Sequence, residues 1–353
     1  MRKIKVLIVD DSVVIRKIVS SVLSEDPDLE VVGTAANGKI ALQKIHQLNP
    51  DILTLDVEMP VMDGLETLSE AKRIDADLPI IMFSSFTERA GKKTIEALML
   101  GAFDYVTKPS NSLGISVTNK KIQDELIPKI KEFCFKKSVV NVSSNIPPKV
   151  TNPIINVSSS KKIDILAIGA STGGPNALAK LLPTFSNDFP VPIVIVQHMP
   201  SLFTKLLAKQ LSEKSHVDVF EAKSGDKLCP GKAWIAPGEH HMIIEKKIDG
   251  IYILLNQEPK ENSCRPSIDP LFKSISKVYE AKALSIILTG MGQDGLFGCQ
   301  YIKEAGGQVI VQDKNSSIVW GMPGVVSNAG LADQILPLNK IGETVISKVK
   351  VGR

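Results

Sequence analysis

The sequence is poor in paired cysteines. It contains four, Cys134, Cys229, Cys264 and Cys299, which lie far apart and show no spacing typical of a metal site. We therefore predict free thiols in a reducing compartment, and hence a cytoplasmic protein.

A strong net charge and a long hydrophobic run are also lacking. The formal net charge is +4 over 353 residues, which is too small to indicate nucleic acid as a partner. No apolar run reaches the roughly 20 residues that span a bilayer. The apolar stretch near the N-terminus is short and ends at Asp10 and Asp11, so we predict neither a signal peptide nor direct membrane insertion.

What is present is a repeated alternation of apolar runs and helical patterns, which is typical of parallel α/β sheets. A chain of this length is too long for one typical core. Residues 138–162 are rich in Ser, Asn and Pro and have no period, which indicates a flexible linker. We predict an α/β domain at residues 1–119, a helix and linker at 120–162 with Pro128 as a kink or break, and a second α/β domain at 163–353.

The clearest strands predicted for the first domain are residues 5–9, 29–33, 52–55, 80–83 and 105–107. Helical patterns cover residues 13–24 and 38–47. The clearest strands of the second domain are residues 163–168, 191–196, 283–288 and 308–311.

Polar side chains follow the predicted strands of the first domain. Because the carboxyl ends of parallel strands line one edge of a sheet, these side chains are expected to converge there. Clustered carboxylates need a compensating cation, and oxygen ligands suit Mg²⁺. A carboxylate beside Mg²⁺ and a lysine can attack a phosphoryl group. Each aspartate alone is more simply a helix cap, but the whole set argues against that reading. The set is Asp10, Asp11, Asp56, Ser84 and Lys108.

A glycine-rich turn in the second domain carries Ser171. Residues 169–174 read GASTGG, they follow an apolar run, and Pro175 can begin a helix. The start of a helix favours negative charge, so the turn suits either a nucleophile that attacks a carbonyl or a loop that binds phosphate.

A nucleophilic serine needs a base and a group that orients the base. His198 ends an apolar run and can reach the same sheet edge as Ser171, although His240 and His241 remain rivals. Asp294 lies among three glycines after another buried strand, which indicates an orienting acid or a cap of the following helix. Three further aspartates stay open as the acid, namely Asp226, Asp269 and Asp313.

Two competing functions remain at this point. The second domain could be a non-enzymatic output that binds a nucleotide, but residues 169–174 lack the Rossmann spacing and the Walker lysine. It could also be a serine hydrolase that acts on some other ester.

Residues 1–110 resemble a response-regulator receiver domain. The acidic pair, the phospho-accepting aspartate, the hydroxyl residue and the Lys-Pro pair of that family match positions in this chain, and residues 56–64 (DVEMPVMDG) match the loop after the phosphorylation site. The resemblance implies a flavodoxin-like fold, phosphorylation of Asp56, and a histidine kinase as phosphoryl donor. It implies that Mg²⁺ is held by Asp10, Asp11, Asp56 and the backbone carbonyl of Glu58, and that the switch residues are Ser84, Tyr105 and Lys108.

From residue 163 onward the chain resembles the catalytic domain of the chemotaxis protein-glutamate methylesterases, the CheB family. The matching motifs come in family order: GASTGG at 169–174, QHMP at 197–200, APG at 236–238, RPSID at 265–269, LTGMGQDG at 288–295 and WGMP at 320–323. One departure is Cys264, where the family has a histidine. It lies outside the expected triad, so we expect it to affect only the substrate groove.

This resemblance implies a Rossmann-like parallel-sheet hydrolase domain with a serine catalytic triad. Ser171 is the implied nucleophile, His198 the base and Asp294 the orienting acid. Met291 is implied as a donor of the oxyanion hole. Thr172 is a supporting residue or the N-cap of the next helix.

The implied function is a phosphorylation-activated esterase of chemotaxis and two-component signalling. Its substrates are glutamate methyl esters on the cytoplasmic helices of methyl-accepting chemotaxis receptors, and deamidation of receptor glutamines is a second activity. The esterase site is expected to need no cofactor, and the protein is expected to be a monomer.

Overall fold

The computed structural model describes residues 2–108, 119–120, 122–140 and 162–351. The chain forms two compact units, Met1–Asn152 and Pro153–Arg353. Most of the predicted linker lies outside the described residues, so the predicted domain boundaries stay a prediction. Among the described residues, none of the helices is both long and apolar enough to cross a membrane.

The first unit is a five-stranded parallel sheet in the order β2-β1-β3-β4-β5. This order is flavodoxin-like, as predicted. Strands β3, β4 and β5 are buried along their whole length, and β3 and β4 accordingly consist mostly of apolar residues. The elements are β1 (Ile4–Val9), α1 (Val13–Ser24), β2 (Leu29–Ala35), α2 (Gly38–Leu48), β3 (Ile52–Asp56), α3 (Gly64–Ile74), β4 (Ile80–Ser84), α4 (Glu88–Met99) and β5 (Asp104–Thr107).

Side chains cap the first four helices. Ser12, Asn37, Asp63 and Thr87 each accept hydrogen bonds from backbone N–H groups in the first turn of α1 to α4. The alternative in which Asp10, Asp11 and Asp56 serve as helix caps is therefore wrong.

The helix predicted after the first sheet begins differently from the prediction. Residues Ile122–Leu126 form a π-helical turn, and α5 (Ile127–Val140) follows directly with Pro128 as its second residue. Because a proline lacks the backbone N–H, it is tolerated in the first turn of a helix. The helix continues to Val140, into the segment predicted as linker, and residues 141–161 lie outside the described residues.

The second unit is built on a seven-stranded parallel sheet in the order β14-β13-β12-β6-β7-β9-β8. The predicted fold class is thus confirmed for both halves. Strands β10 and β11 form a separate, two-stranded antiparallel sheet in the same unit. The strands are β6 (Ile165–Ala170), β7 (Ile193–Gln197), β8 (Asp218–Glu221), β9 (Lys232–Ile235), β10 (His241–Lys247), β11 (Gly250–Asn256), β12 (Ala283–Ile287), β13 (Gln308–Gln312) and β14 (Gln334–Leu336).

Helices of the second unit cover its sheet. They are α6 (Gly174–Leu181), α7 (Ser201–Lys214), α8 (Ile268–Tyr279), α9 (Leu296–Glu304), α10 (Met322–Asn328) and α11 (Leu338–Lys350), with short 3₁₀ turns at Leu182–Thr184 and Glu280–Lys282.

Strand order reverses at the centre of this sheet. From β6 the chain continues to β7, β8 and β9 on one side, whereas β12, β13 and β14 extend the other side. Ligands bind at such a switch point, outside the carboxyl ends of the strands. The loops that follow β6, β7 and β12 are therefore the expected location of a site.

Candidate active site and phosphoacceptor site

The backbone of Ser171 is fixed from three directions. It lies just beyond β6, in a turn that closes with a hydrogen bond from Gly174 N to Ser171 O of 2.8 Å. Ser171 N donates to Thr289 O at 3.1 Å, and Gln197 Nε2 donates to Ser171 O at 2.9 Å. The turn reaches α6 through Gly173 at φ +77°, a conformation that favours glycine. The serine side chain thus projects from a rigid turn at the start of a helix.

Gly173 is also the N-cap of α6, and it makes no side-chain capping bond. The alternative in which Thr172 caps this helix is therefore wrong. Thr172 is buried, and its carbonyl accepts a hydrogen bond of 3.0 Å from Thr289 Oγ1. Its supporting role stays a prediction.

His198 occupies the position next to Ser171 on the neighbouring strand. Ala170 pairs in register with Gln197, so Ser171 and His198 are the next residues along two paired strands. Adjacent strands lie about 4.8 Å apart. The backbone agrees, because His198 N donates to Ala170 O at 3.2 Å. The sequence therefore placed this histidine at the correct sheet edge.

Both ring nitrogens of His198 have a partner. Nε2 lies 2.7 Å from Asp294 Oδ2, and Nδ1 lies 3.6 Å from Cys264 Sγ. A carboxylate only accepts hydrogen bonds, so Nε2 carries the proton. Nδ1 is then the basic nitrogen of the neutral ring. Burial opposes the charged ring, but the hydrogen bonds and charges of Asp294 and Cys264 raise the pKa of His198 above its ordinary value.

Asp294 is buried and accepts several hydrogen bonds. Ser267 Oγ and Ile268 N both donate to it at 2.7 Å, and Asn262 Nδ2 donates at 2.9 Å. Because Ile268 is the first residue of α8, the carboxylate lies at the positive end of that helix. Burial alone would raise the pKa of Asp294, but the hydrogen bonds from His198, Ile268 and Ser267 hold it below its ordinary value. The group is suited to hold an imidazolium.

The alternative in which Asp294 caps the helix that follows it is wrong. The N-cap of α9 is Gly295, with no side-chain capping bond. Asp294 instead satisfies N–H groups at the start of α8, a helix that precedes it in the chain. The three glycines around Asp294 allow the loop to fold back against that helix.

The rival histidines are engaged elsewhere. His241 is buried, its Nδ1 accepts from Ser267 N at 3.2 Å, and its Nε2 donates to Pro259 O at 3.0 Å. These contacts require a neutral ring that stabilises the loop. His240 Nδ1 contacts Gly238 O at 3.2 Å. Neither ring contacts Asp294.

The three alternative aspartates differ in whether they lie near His198 and Asp294. Asp226 accepts from Lys223 N at 2.8 Å, and Asp313 accepts from Ser316 N at 2.9 Å, so both stabilise turns. Asp269 is closer, because Asn262 Nδ2 donates to it at 2.9 Å as well as to Asp294.

A tight turn at residues 261–264 brings two residues to the site: Asn262, which the sequence did not reveal, and Cys264, which the sequence linked only to the substrate groove. Glu261 and Cys264 exchange backbone hydrogen bonds of 3.2 and 2.8 Å, and both residues between them have positive φ. This is the geometry of a tight hairpin turn with two central residues. It directs Asn262 to Asp294 and Cys264 to His198. The sulfur of Cys264 contacts the ring of His198, and the expected effect of Cys264 on the substrate groove stays a prediction.

Met291 lies in the loop between β12 and α9. Its neighbour Gly290 packs closely against the serine, since a Cβ on Gly290 would lie 2.8 Å from Ser171 Cβ. Within the described part of the chain, no hydrogen bond engages Met291 N. A free N–H beside a nucleophile is what an oxyanion hole requires. The role of Met291 stays a prediction.

The polar cluster predicted in the first unit comes together at the edge of its sheet. Lys108 Nζ lies 2.7 Å from both Asp10 Oδ2 and Asp56 Oδ2. Carboxylate oxygens of Asp10, Asp11 and Asp56 lie within 4.8 Å of one another. Burial raises the pKa of Asp56 to about 6, with Lys108 opposing the shift and Asp10 adding to it. An oxygen-only cluster of this charge fits Mg²⁺, which favours carboxylate and carbonyl ligands.

Ser84 ends β4 and is fully buried. Its Oγ accepts a hydrogen bond of 2.6 Å from Thr94 Oγ1, while its carbonyl accepts from Lys108 N at 2.7 Å. Ser84 is thus tied to α4 and to the segment that carries the lysine.

Tyr105 and Glu58 lie near the same edge. Tyr105 is buried in β5, and Lys129 Nζ lies 5.4 Å from its ring centroid. Glu58 N donates to Asp56 Oδ1 at 3.3 Å, and its side chain pairs with Arg89 at 3.0 Å. The predicted roles of both residues stay predictions.

Comparisons with known proteins identify the family. The model of the CheB methylesterase family matches residues 166–345, and that of the response regulator receiver domain matches residues 6–116. The chain belongs to the CheB methylesterase family. It is therefore a hydrolase with a receiver domain, and the alternative of a non-enzymatic nucleotide-binding output is wrong.

Relatives from this family align over nearly the whole chain. A protein-glutamate methylesterase/protein-glutamine glutaminase of Trichodesmium erythraeum is 51% identical over 353 residues, which cover 99% of this chain and 100% of that one. A relative of the same name from Nocardioides sp. is 43% identical, with 99% and 96% covered. The crystal structure of the Thermotoga maritima CheB methylesterase catalytic domain has a TM-score of 0.52 and 41% identity, covering 53% of this chain and 99% of that one.

Proposed function

We propose that this protein hydrolyses glutamate methyl esters on the cytoplasmic helices of chemotaxis receptors and releases methanol, which serves adaptation. The observation that carries the proposal is the neighbouring position of Ser171 and His198 at the ends of two paired strands, with His198 bonded to Asp294. The name shared by the family members described above supports the substrate class.

In the proposed reaction, Ser171 Oγ attacks the ester carbonyl while Nδ1 of His198 takes its proton. Asp294 holds the ring through Nε2 and stabilises the imidazolium that forms. The oxyanion is stabilised by backbone N–H groups, with Met291 N as one donor and Thr172 in support. His198 then protonates the departing methanol. A water molecule activated by the same ring hydrolyses the acyl-serine and leaves glutamate.

Deamidation of glutamine follows the same course with ammonia as the leaving group. The acyl-serine formed is identical, because only the group expelled from the carbonyl differs. The glutaminase in the relatives' name supports this second activity.

We further propose that phosphorylation of the receiver domain regulates the esterase. Asp56 accepts the phosphoryl group from a chemotaxis histidine kinase, and Lys108 pairs with the added charge. Mg²⁺ would be held by Asp10, Asp11, Asp56 and the backbone carbonyl of Glu58, and when bound it neutralises charge on the transferring phosphoryl group. The modified site biases a two-state element through Ser84, Tyr105 and Lys108. The protein acts as a cytoplasmic monomer.

The esterase proposal is tested by methanol release from methylated receptor membranes. Ser171→Ala is expected to lower turnover by about 10³-fold or more, because the nucleophile is lost. The matched control is Ser186→Ala, an exposed serine of the same domain, which should keep turnover. A fluorophosphonate should label Ser171 in the unmodified chain. Full turnover by a folded Ser171→Ala protein would assign the nucleophile to another residue.

A further inference from the structure

The Nδ1 atom of His198 has a partner that the proposed reaction does not use. Cys264 Sγ lies 3.6 Å from it, within hydrogen-bonding range for sulfur. Nε2 is already bonded to Asp294, so Nδ1 is the only nitrogen left to take a proton from Ser171. The thiol therefore lies on the side of the ring where the proposed chemistry takes place.

The position of the thiol is fixed by the same turn that contacts the acid. Asn262 and Ser263 have φ of +51° and +63°, which closes the turn between Glu261 and Cys264. Asn262 Nδ2 donates to Asp294 at one end of this turn, and Cys264 contacts His198 at the other. Because Asp294 and His198 are hydrogen-bonded to each other, the turn holds the sulfur of Cys264 in a defined place relative to both.

We propose that Cys264 is a positioning residue that competes with Ser171 for Nδ1 of His198. The proposal rests on the proposed function, in which His198 is the general base. The two ring nitrogens contact Asp294 and Cys264, and among the described residues neither makes a hydrogen bond with Ser171. Substrate binding or catalysis must therefore move the ring from the thiol to the serine.

The groups that face the ring determine the direction in which this contact shifts the pKa of His198. Asp294, in the loop before α9, and Cys264, in the turn, both contact the ring. Asp269 of α8 shares the hydrogen-bond donor Asn262 with Asp294. Burial disfavours the charged ring, whereas Asp294 and Cys264 both raise the pKa of His198. When Nδ1 is protonated, its N–H can donate to the sulfur, so the contact favours the charged ring.

The direction of the expected shift in the pH profile follows from the need for a neutral ring, because only a neutral ring can take the proton of Ser171. A raised pKa of His198 leaves less neutral ring at pH values below it. Removal of the thiol removes one contribution to that rise. In Cys264→Ala the acid limb of the pH profile of kcat/KM is therefore expected to move down by about one pH unit, with up to about tenfold higher kcat/KM below it. A role in stability alone would not move this limb.

The experiment uses the full-length protein with ring-labelled histidine and compares Cys264→Ala with Cys229→Ala, a cysteine of similar exposure that contacts neither His198 nor Asp294. NMR titration of the His198 ring, assigned with His198→Gln, measures its pKa without reference to activity. Methanol release from methylated receptor membranes gives the pH profile of kcat/KM for the same proteins.

The expected result is a lower His198 pKa and a matching shift of the acid limb in Cys264→Ala, with Cys229→Ala unchanged. Cys264→Ser should titrate like Cys264→Ala. An unchanged or higher ring pKa in Cys264→Ala overturns the proposal for Cys264. A ring pKa that falls while the acid limb stays in place instead contradicts the role of His198 as general base.

Discussion

At the scale of the residue, Asn262 joins two buried carboxylates. Its Nδ2 donates to Asp269 Oδ2 and Asp294 Oδ1, each at 2.9 Å. Burial raises the pKa of Asp269 to about 6, and the charge of Asp294 adds to the rise. Without the shared donor, two acceptors of like charge would face each other with one hydrogen bond fewer each. The amide therefore allows Asp294 to stay ionised beside a second acid.

Asn262→Ala is expected to lower the free energy of unfolding by about 1–3 kcal/mol, because buried acceptors lose their donor. We also expect kcat/KM for methanol release to fall about tenfold, since Asp294 loses one of the contacts that orient it. Thermal unfolding and methanol release measure the two effects. Asn256→Ala, at the end of β11, is the control. Wild-type values of both quantities in Asn262→Ala would contradict this account of the amide.

The residues that sequence reasoning found and missed differ in where they lie. Ser171, His198 and Asp294 each follow a buried strand of the central sheet, so the rule for parallel sheet edges brings them together. Asn262, Cys264 and Ser267 come from an irregular segment that has no period. Their approach to the site depends on how that segment packs against α8, which is a tertiary effect.

At the scale of the element, the site is formed by loops after three adjacent strands, β6, β7 and β12. The strands buried along their whole length were predicted to within about two residues, because buried parallel strands are continuous apolar runs. Five strands of the second unit were not predicted, namely β8, β9, β10, β11 and β14. They are short or partly exposed, so they do not stand out as long apolar runs.

The close contact between two of these loops makes Gly290 a critical position. A Cβ there would lie 2.8 Å from Ser171 Cβ and 2.5 Å from Met322 Sδ. Gly290→Ala is expected to lower kcat/KM for methanol release by about 10²-fold, because a displacement of about 1 Å misplaces the nucleophile. Gly330→Ala is the control, since its Cβ would meet nothing within 4 Å and only its positive φ is strained. Equal effects of the two variants would mean that crowding against Ser171 is unimportant.

At the scale of the whole molecule, two clusters of different polar side chains lie on two separate parallel sheets. The first collects carboxylates around Lys108, and the second collects a serine, a histidine and a buried acid. A covalent connection keeps the two domains at a high effective concentration, so a small change in one can alter the other. The proposed regulation requires only that phosphorylation of Asp56 changes the preference between two arrangements.

This requirement sets the size and the selectivity of the expected response. A phosphoryl group adds about −1.5 to −2 charges, and couplings between sites typically amount to about 5–150-fold. A small acyl phosphate with Mg²⁺ is therefore expected to raise methanol release at least about fivefold in the wild-type protein. Asp56→Asn should abolish the response, and Asp75→Asn, on the exposed end of α3, should preserve it. Chelation of Mg²⁺ should abolish the response of the wild type but not its basal turnover, because the reaction proposed for the serine site uses only side chains and backbone amides. A wild-type protein that is phosphorylated but shows no rise would contradict regulation through the receiver domain.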